Sequence, residues 1–155
     1  MTTESEAKAF RSAQRVVRIG VGIGVTLSLC IVYFFVHHVQ FTSSALTTVA
    51  ERMVFALRWQ LPSLIFIFLH AMEVGGKRFS SKAIDPVAGH DKIVQIPNNI
   101  LRNSIEQFVM NAGGLLILST YLDPDQMAVI PGLAVVLFVG RILFSVGYRV
   151  QIMTS

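Results

Sequence analysis

The sequence predicts an all-α protein, an integral membrane bundle of four transmembrane helices. Hydrophobic residues fill 53% of the 155 positions and charged residues only 14%, a balance too apolar for an ordinary water-soluble domain. From Ile19 to Val36 the chain runs without an Asp, Glu, Lys or Arg, long enough for one membrane crossing. Polar segments bearing Gly and Pro then divide the remainder into three more apolar stretches. This pattern excludes a disordered chain and an all-β sandwich. The 13 Lys and Arg against 9 Asp and Glu form no basic patch interleaved with aromatics, so nucleic acid is not an expected partner. Cys30 is the single cysteine and lies inside the first apolar run, which excludes an intrachain disulfide and a cysteine-based metal site.

Residues 1–18 read as a basic cytosolic segment, with Arg11, Arg15 and Arg18 at spacings that line one side of a helix entering the membrane. Residues 19–38 form the first crossing. They are too long for a signal-peptide core and end in Phe34, Phe35, Val36, His37 and His38 without small residues for cleavage. Gly20, Gly22 and Gly24 suggest close approach by another helix. A connection rich in Ser and Thr leads to a second helix from Met53 to about Met72, with Arg58 and Gln60 towards its outer end and His70 and Glu73 near the cytosolic surface. Residues 74–94 turn polar and form an extramembrane loop. The third helix starts near Pro97, a residue suited to a first helical turn, and reaches Tyr121. Leu122 to Gln126 make a tight turn. The fourth helix runs from about Met127 to Tyr148, with Pro131 near its start, Arg141 within it, and a short tail at 150–155.

Lys and Arg in alternate segments number nine against one, which places both termini and the 74–94 loop in the cytosol. Endomembranes and the plasma membrane both satisfy that orientation. Three basic residues, Arg58, Arg102 and Arg141, fall within or at the edges of helices. A charge in a bilayer costs roughly 2.5 to 3.5 kcal/mol, so such residues turn inward and find partners. Glu106 lies about 14 Å and Arg141 about 10 Å from the cytosolic helix ends at 1.5 Å per residue, which makes them the expected pair. Asn103, Glu106, Gln107 and Met110 share one face of the third helix, and Arg141, Ser145 and Tyr148 share one face of the fourth. Two polar stripes thus meet beneath the cytosolic surface. One reading is a structural ion pair that fixes register or a subunit contact. The other is a ligand pocket in which Arg141 anchors an anion and Tyr148 donates a hydrogen bond. The paired His37 and His38 have no companion Cys, Asp or Glu at ligand spacing, so no metal site is expected. Gly113 and Gly114 are expected to serve close helix packing.

Asn103, Ser104, Ile105, Glu106 and Gln107 resemble the Asn-x-x-Glu core of the membrane-associated eicosanoid and glutathione metabolism superfamily, MAPEG. Gly140, Arg141, Phe144, Gly147 and Tyr148 resemble its Gly-Arg-x-x-Tyr-x-x-Gly-Tyr stretch. The resemblance covers about residues 53–149 and leaves the first helix outside the family domain. It implies homotrimers of four-helix subunits embedded in lipid, with glutathione as the cofactor, held between protomers at the cytosolic side by Asn103, Glu106, Arg141 and Tyr148. Enzymes of the family carry Arg where this chain has Asn99, and Tyr where it has Phe144. Both changes remove a group expected to hold glutathione or to assist its thiolate. The extra first helix and the absence of a further helix after the second motif resemble the mattrin-like branch of transmembrane proteins, in which that helix could take the missing one's place. The expectation is a multi-pass, oligomeric protein, non-enzymatic or weakly active, whose Glu106 and Arg141 cluster supports assembly. No catalytic residue follows from the sequence. The rival is a glutathione transferase or peroxidase acting on lipid-soluble electrophiles. A transporter or channel is a third class, without an inverted repeat or an ion-coordinating series to support it.

Overall fold

A computed structural model describes residues 2–39, 46–81 and 94–153. Parts of two expected connections, 40–45 and 82–93, lie outside the described residues. The remainder is helical: α1 (Thr2–His38), α2 (Val49–Arg58), α3 (Leu61–Phe79), α4 (Gln95–Tyr121) and α5 (Val129–Met153), with a 3-10 turn at Pro124–Gln126. No strand occurs among the described residues.

Each boundary has a local cause. Thr48 caps α2, accepting from the Glu51 amide while the Glu51 carboxylate accepts from the Thr48 amide. Asp123 and Gln126 form the same reciprocal pair at the 3-10 turn. Pro62 stands in the first turn of α3, and it divides the second apolar run, expected as one helix over 53–72, at Trp59 and Gln60. The first helix is longer than its apolar core. At 37 residues α1 measures about 56 Å, so the basic segment continues the helix beyond a hydrocarbon layer of about 30 Å. The fourth predicted helix, α5, also runs on, through residues placed in the expected tail.

Among the described residues, three stretches are long and apolar enough to cross a membrane: Val17–His38, Val49–Phe79 and Pro124–Val150. The fourth helix, α4, is long enough at 27 residues, but Asn98, Asn99, Arg102, Asn103, Glu106, Gln107 and Asn111 make it more polar than the others. It holds the centre of the bundle, in contact with α2, α3 and α5, while α1 packs against α5. α1 approaches α5 tightly at Gly132, where a Cβ would stand 3.2 Å from Cα of Val32 and 3.3 Å from Cβ of Phe35. Gly20, Gly22, Gly24, Gly113 and Gly114, expected at tight helix contacts, have nothing within 4 Å of such a Cβ. Within the chain, close packing therefore falls to Gly132 instead.

The apolar core gathers at the end where α4 turns into α5: Leu46, Ala56, Leu115, Met127, Ile130 and Ala134, flanked by Phe55, Trp59, Leu116, Leu118, Leu122 and Leu133. Arg52 closes this end. Its Nε donates to the Ser119 carbonyl at 3.2 Å and its Nη1 to those of Leu46 and Thr47 at 3.4 and 3.2 Å. The outer faces of α1 and α3 expose Ile19, Ile23, Leu29, Phe34, Leu64 and Phe68, surfaces suited to acyl chains and costly in water.

Candidate functional site

At the opposite end, α4 and α5 bring polar side chains together. Asn99, Arg102, Asn103 and Glu106 occupy one face of α4 through their spacing of three and four residues. Phe144 and Tyr148 face them from α5, and the six line an open pocket of about 330 Å³. Asn99 Nδ2 donates to the Tyr148 hydroxyl at 3.1 Å. Arg141 Nη1 donates to Asn103 Oδ1. The Tyr148 ring stacks on Phe144 with centroids 5.6 Å apart.

Asn103, Glu106 and Tyr148, three of the four residues expected at a site, thus share one pocket. Arg141 does not line it and is joined to it through Asn103. Nor does it pair with Glu106, which takes Arg102 one turn back on the same helix, Nε to Oε1 at 3.2 Å. The expected Glu106 and Arg141 ion pair is corrected by azimuth, because depth still agrees. With α4 starting at Gln95 and α5 running to Met153, the two stand about 16 and 18 Å from their helix ends. Around α4, however, the polar face runs in the order Arg102, Glu106, Asn99, Asn103 over about 100°. Arg141 reaches the Asn103 edge, and Arg102 serves the Glu106 edge. Arg141 instead lines a groove between α1 and α5, with its guanidinium 5.1 Å from the centre of the Phe144 ring.

Two cross-helix contacts stand where the sequence suggested interfacial residues. Glu73 on α3 accepts both terminal nitrogens of Arg149 on α5, Nη1 to Oε1 at 2.9 Å, and Lys77 lies 3.3 Å from the same carboxylate. This is the bidentate ion pair of the bundle. One turn deeper, His70 is buried, with Nδ1 2.9 Å from the Phe66 carbonyl and Nε2 3.0 Å from Ser145 Oγ. A carbonyl only accepts, so Nδ1 carries the proton and Nε2 accepts from the serine hydroxyl. Both contacts clamp α3 to α5. Gln60, expected near the outer interface, is buried at the α2–α3 break, where its Oε1 accepts from Asn111 Nδ2 at 3.2 Å. His37 and His38 are exposed and lie against the rings of Tyr33 and Phe34.

The pocket can hold a polar group with amide, guanidinium and phenol donors. Tyr148 accepts from Asn99 and retains its own O–H to donate. Phe144 contributes a ring and no hydroxyl. Sequence separation hid Glu73 and Arg149, which are 76 positions apart. Their signal was a carboxylate and a guanidinium at matching heights on two helices.

Comparison with known proteins places this architecture. A MAPEG family model matches residues 56–154, which contain α3, α4, α5 and most of the pocket-bearing chain. The chain is 25% identical to Transmembrane protein 79 of Bos taurus over 140 residues, covering 90% of this chain and 35% of that protein. It is 24% identical to Transmembrane protein 79 of Mus musculus over 121 residues, covering 78% of this chain and 31% of that protein. The chain therefore spans about a third of the length of these relatives. No solved structure matches. The match extends beyond half of the chain and includes both polar motifs, so this integral membrane protein belongs to the MAPEG family.

Proposed function

We propose that this protein is a non-conjugating, or at most weakly active, MAPEG family member whose polar α4 face is an assembly surface for further copies of the chain. The observation that supports this reading is the Arg102 and Glu106 pair. Its side chains are 80% and 56% exposed in the single chain, well inside the length of α4. Ionised groups left facing lipid cost several kcal/mol, and a neighbouring subunit would remove that cost. Val109 and Met110 extend the same uncovered region with apolar surface. Within the pocket, Asn99 carries no charge and Phe144 offers no hydroxyl, both unfavourable to thiolate stabilisation.

Crosslinking in native membranes tests the reading. Cys30→Ser with Met110→Cys should give disulfide-linked dimers on mild oxidation, and size analysis of the untreated assembly in lipid should give a closed oligomer, a trimer by family resemblance. Arg102→Ala with Glu106→Ala should weaken it. Monomers at every concentration would overturn the reading.

The second reading is a glutathione transferase or peroxidase on lipid-soluble electrophiles, with Asn103, Glu106, Arg141 and Tyr148 around the tripeptide. The Asn103 and Arg141 contact beside Tyr148 favours it, since it keeps those groups at one end of α4 and α5. Glutathione-dependent thermal stabilisation in nanodiscs, lost in Arg141→Ala, supports this reading; its absence at millimolar glutathione removes it. Both termini and the polar segment 74–94 are assigned to the cytosol on the distribution of basic residues. Labelling of single cysteines placed at 3 and 79 by an impermeant reagent in sealed cells tests that orientation.

A further inference from the structure

Basic side chains collect on one face of α1 where it enters the membrane. The helix is continuous from Thr2 to His38, so Arg11, Arg15 and Arg18 keep a fixed geometry, within about 60° of arc at 100° per residue. All three are exposed. The apolar span begins at Val17, which puts Arg18 at its edge. Arg15 and Arg11 then stand about 4.5 and 10.5 Å above Arg18 at 1.5 Å per residue. This face precedes the residues matched by the family and is no part of that domain.

Packing on α5 gives the same height by a separate route. Residue numbers fall along α1 as they rise along α5, from Val32 beside Gly132 to Gly24 and Arg141 in one groove, so the two helices are antiparallel. Val32 and Phe35 both meet Gly132. Arg15 and Arg18 stand 17 residues before those two, and Arg149 stands 17 residues after Gly132. The arginines of α1 are therefore level with the cluster of Glu73, Lys77 and Arg149. Arg149 has Glu73 for its counter-charge, whereas Arg15 and Arg18 meet no carboxylate among the described residues.

We propose that the arginine face of α1 binds the headgroup of a phosphoinositide lipid bearing two ring phosphates, in the leaflet on the N-terminal side. The proposal rests on the assignment of the N-terminus to the cytosol. Basic clusters beside a transmembrane helix attract anionic lipid, and the guanidinium fork takes phosphate oxygens in pairs. Height selects the head. A headgroup layer is roughly 5 to 8 Å thick, so a phosphatidylserine head meets Arg18 and Arg15 and stops below Arg11. An inositol ring with two phosphates stands above that layer and carries its charge to Arg11. Glu4, on the same side of α1 by its spacing, lies about 21 Å above Arg18, past the reach of such a head.

The test uses the full chain in phosphatidylcholine nanodiscs with a phosphatidylinositol bisphosphate whose acyl chain is photoactivatable. Both faces of a nanodisc are open, so the result is independent of orientation in the cell, which the single-cysteine labelling reports separately. Labelled peptides should come from α1. Unlabelled phosphatidylinositol bisphosphate should compete at least tenfold better than phosphatidylserine. Arg11→Gln with Arg15→Gln should reduce labelling at least fivefold, and Trp59 emission matching the wild type shows that the bundle is intact. Gln14→Arg with Arg15→Gln keeps the net charge and turns one guanidinium by about 100° around the helix, so it should lose at least threefold. Arg58→Gln, an exposed arginine on α2, should leave labelling unchanged. Equal competition by the two lipids would overturn the proposal, as would full labelling of the Gln14→Arg, Arg15→Gln variant, which would reduce the effect to net charge. Labelling outside α1, or an equal loss in Arg58→Gln, would also overturn it by placing the lipid elsewhere.

Discussion

The contact at Gly132 makes a prediction whose sign reverses from one glycine to another. A methyl group at this position would stand 3.2 Å from the backbone of Val32 and 3.3 Å from Cβ of Phe35, so α1 itself must move a few tenths of an ångström. Replacing a helical glycine by alanine returns about 1 kcal/mol in backbone terms, while overfilling a packed contact costs about 1 to 3 kcal/mol. Gly132→Ala should therefore lie between neutral and about 2 kcal/mol destabilising. Gly132→Leu adds three more carbons and should cost about 1 to 3 kcal/mol net. Gly113→Ala, with nothing within 4 Å of the new methyl, should stabilise by about 0.5 to 1 kcal/mol. Trp59 is the only tryptophan and lies 6.1 Å from the Phe35 ring of α1, edge to face. Its fluorescence during unfolding of micellar protein by increasing dodecyl sulfate reports both stability and seating of α1. Equal midpoints for Gly132→Leu and Gly113→Ala, with unchanged Trp59 emission, would refute the packing of α1 on α5.

Other substitutions test the clamps. Glu73→Gln removes the carboxylate from Arg149 and Lys77 and should destabilise by about 1 to 2 kcal/mol in the same unfolding assay; a Glu73→Arg, Arg149→Glu double reversal should regain part of the loss. Ser145→Ala leaves the buried His70 Nε2 without its donor and should cost about 1 to 3 kcal/mol, whereas Ser63→Ala and Ser104→Ala, whose buried hydroxyls have no partner, should be neutral or stabilising. Arg52→Ala frees the carbonyls of Leu46, Thr47 and Ser119, and faster amide hydrogen exchange should appear at the α4–α5 turn first.

Hydropathy and punctuation carried most of the fold. Pro97 and Met127 stood within two residues of the starts of α4 and α5, and Tyr121 ends α4 as expected. The division at Trp59 and Gln60 escaped because apolar residues continue through it; the cause is one absent N–H at Pro62, which leaves no mark on an average over many residues. Glycine positions were visible, but a close contact depends on which helix lies opposite, and that depends on the assembled bundle. The site was partly legible for the same reason. Counting residues along a helix fixes height, so Asn103, Glu106, Arg141 and Tyr148 were correctly gathered near one end. It does not fix azimuth between helices, so Glu106 was matched with Arg141 while the structure gives it Arg102. The bidentate Glu73 and Arg149 contact required knowing that α3 and α5 are neighbours.

The two ends of the bundle are held by different forces. Met127, Ile130, Leu115 and Ala56 form a dry plug where α4 turns into α5, while the other end is joined by Glu73 with Arg149, His70 with Ser145 and Asn99 with Tyr148. Dry contacts and neutral hydrogen bonds respond little to ionic strength, whereas the Glu73 and Arg149 ion pair weakens with it. The molecule is thus built like forceps, riveted at the apolar end and latched at the polar one, and salt or a competing anion would loosen the tips while leaving the rivet intact.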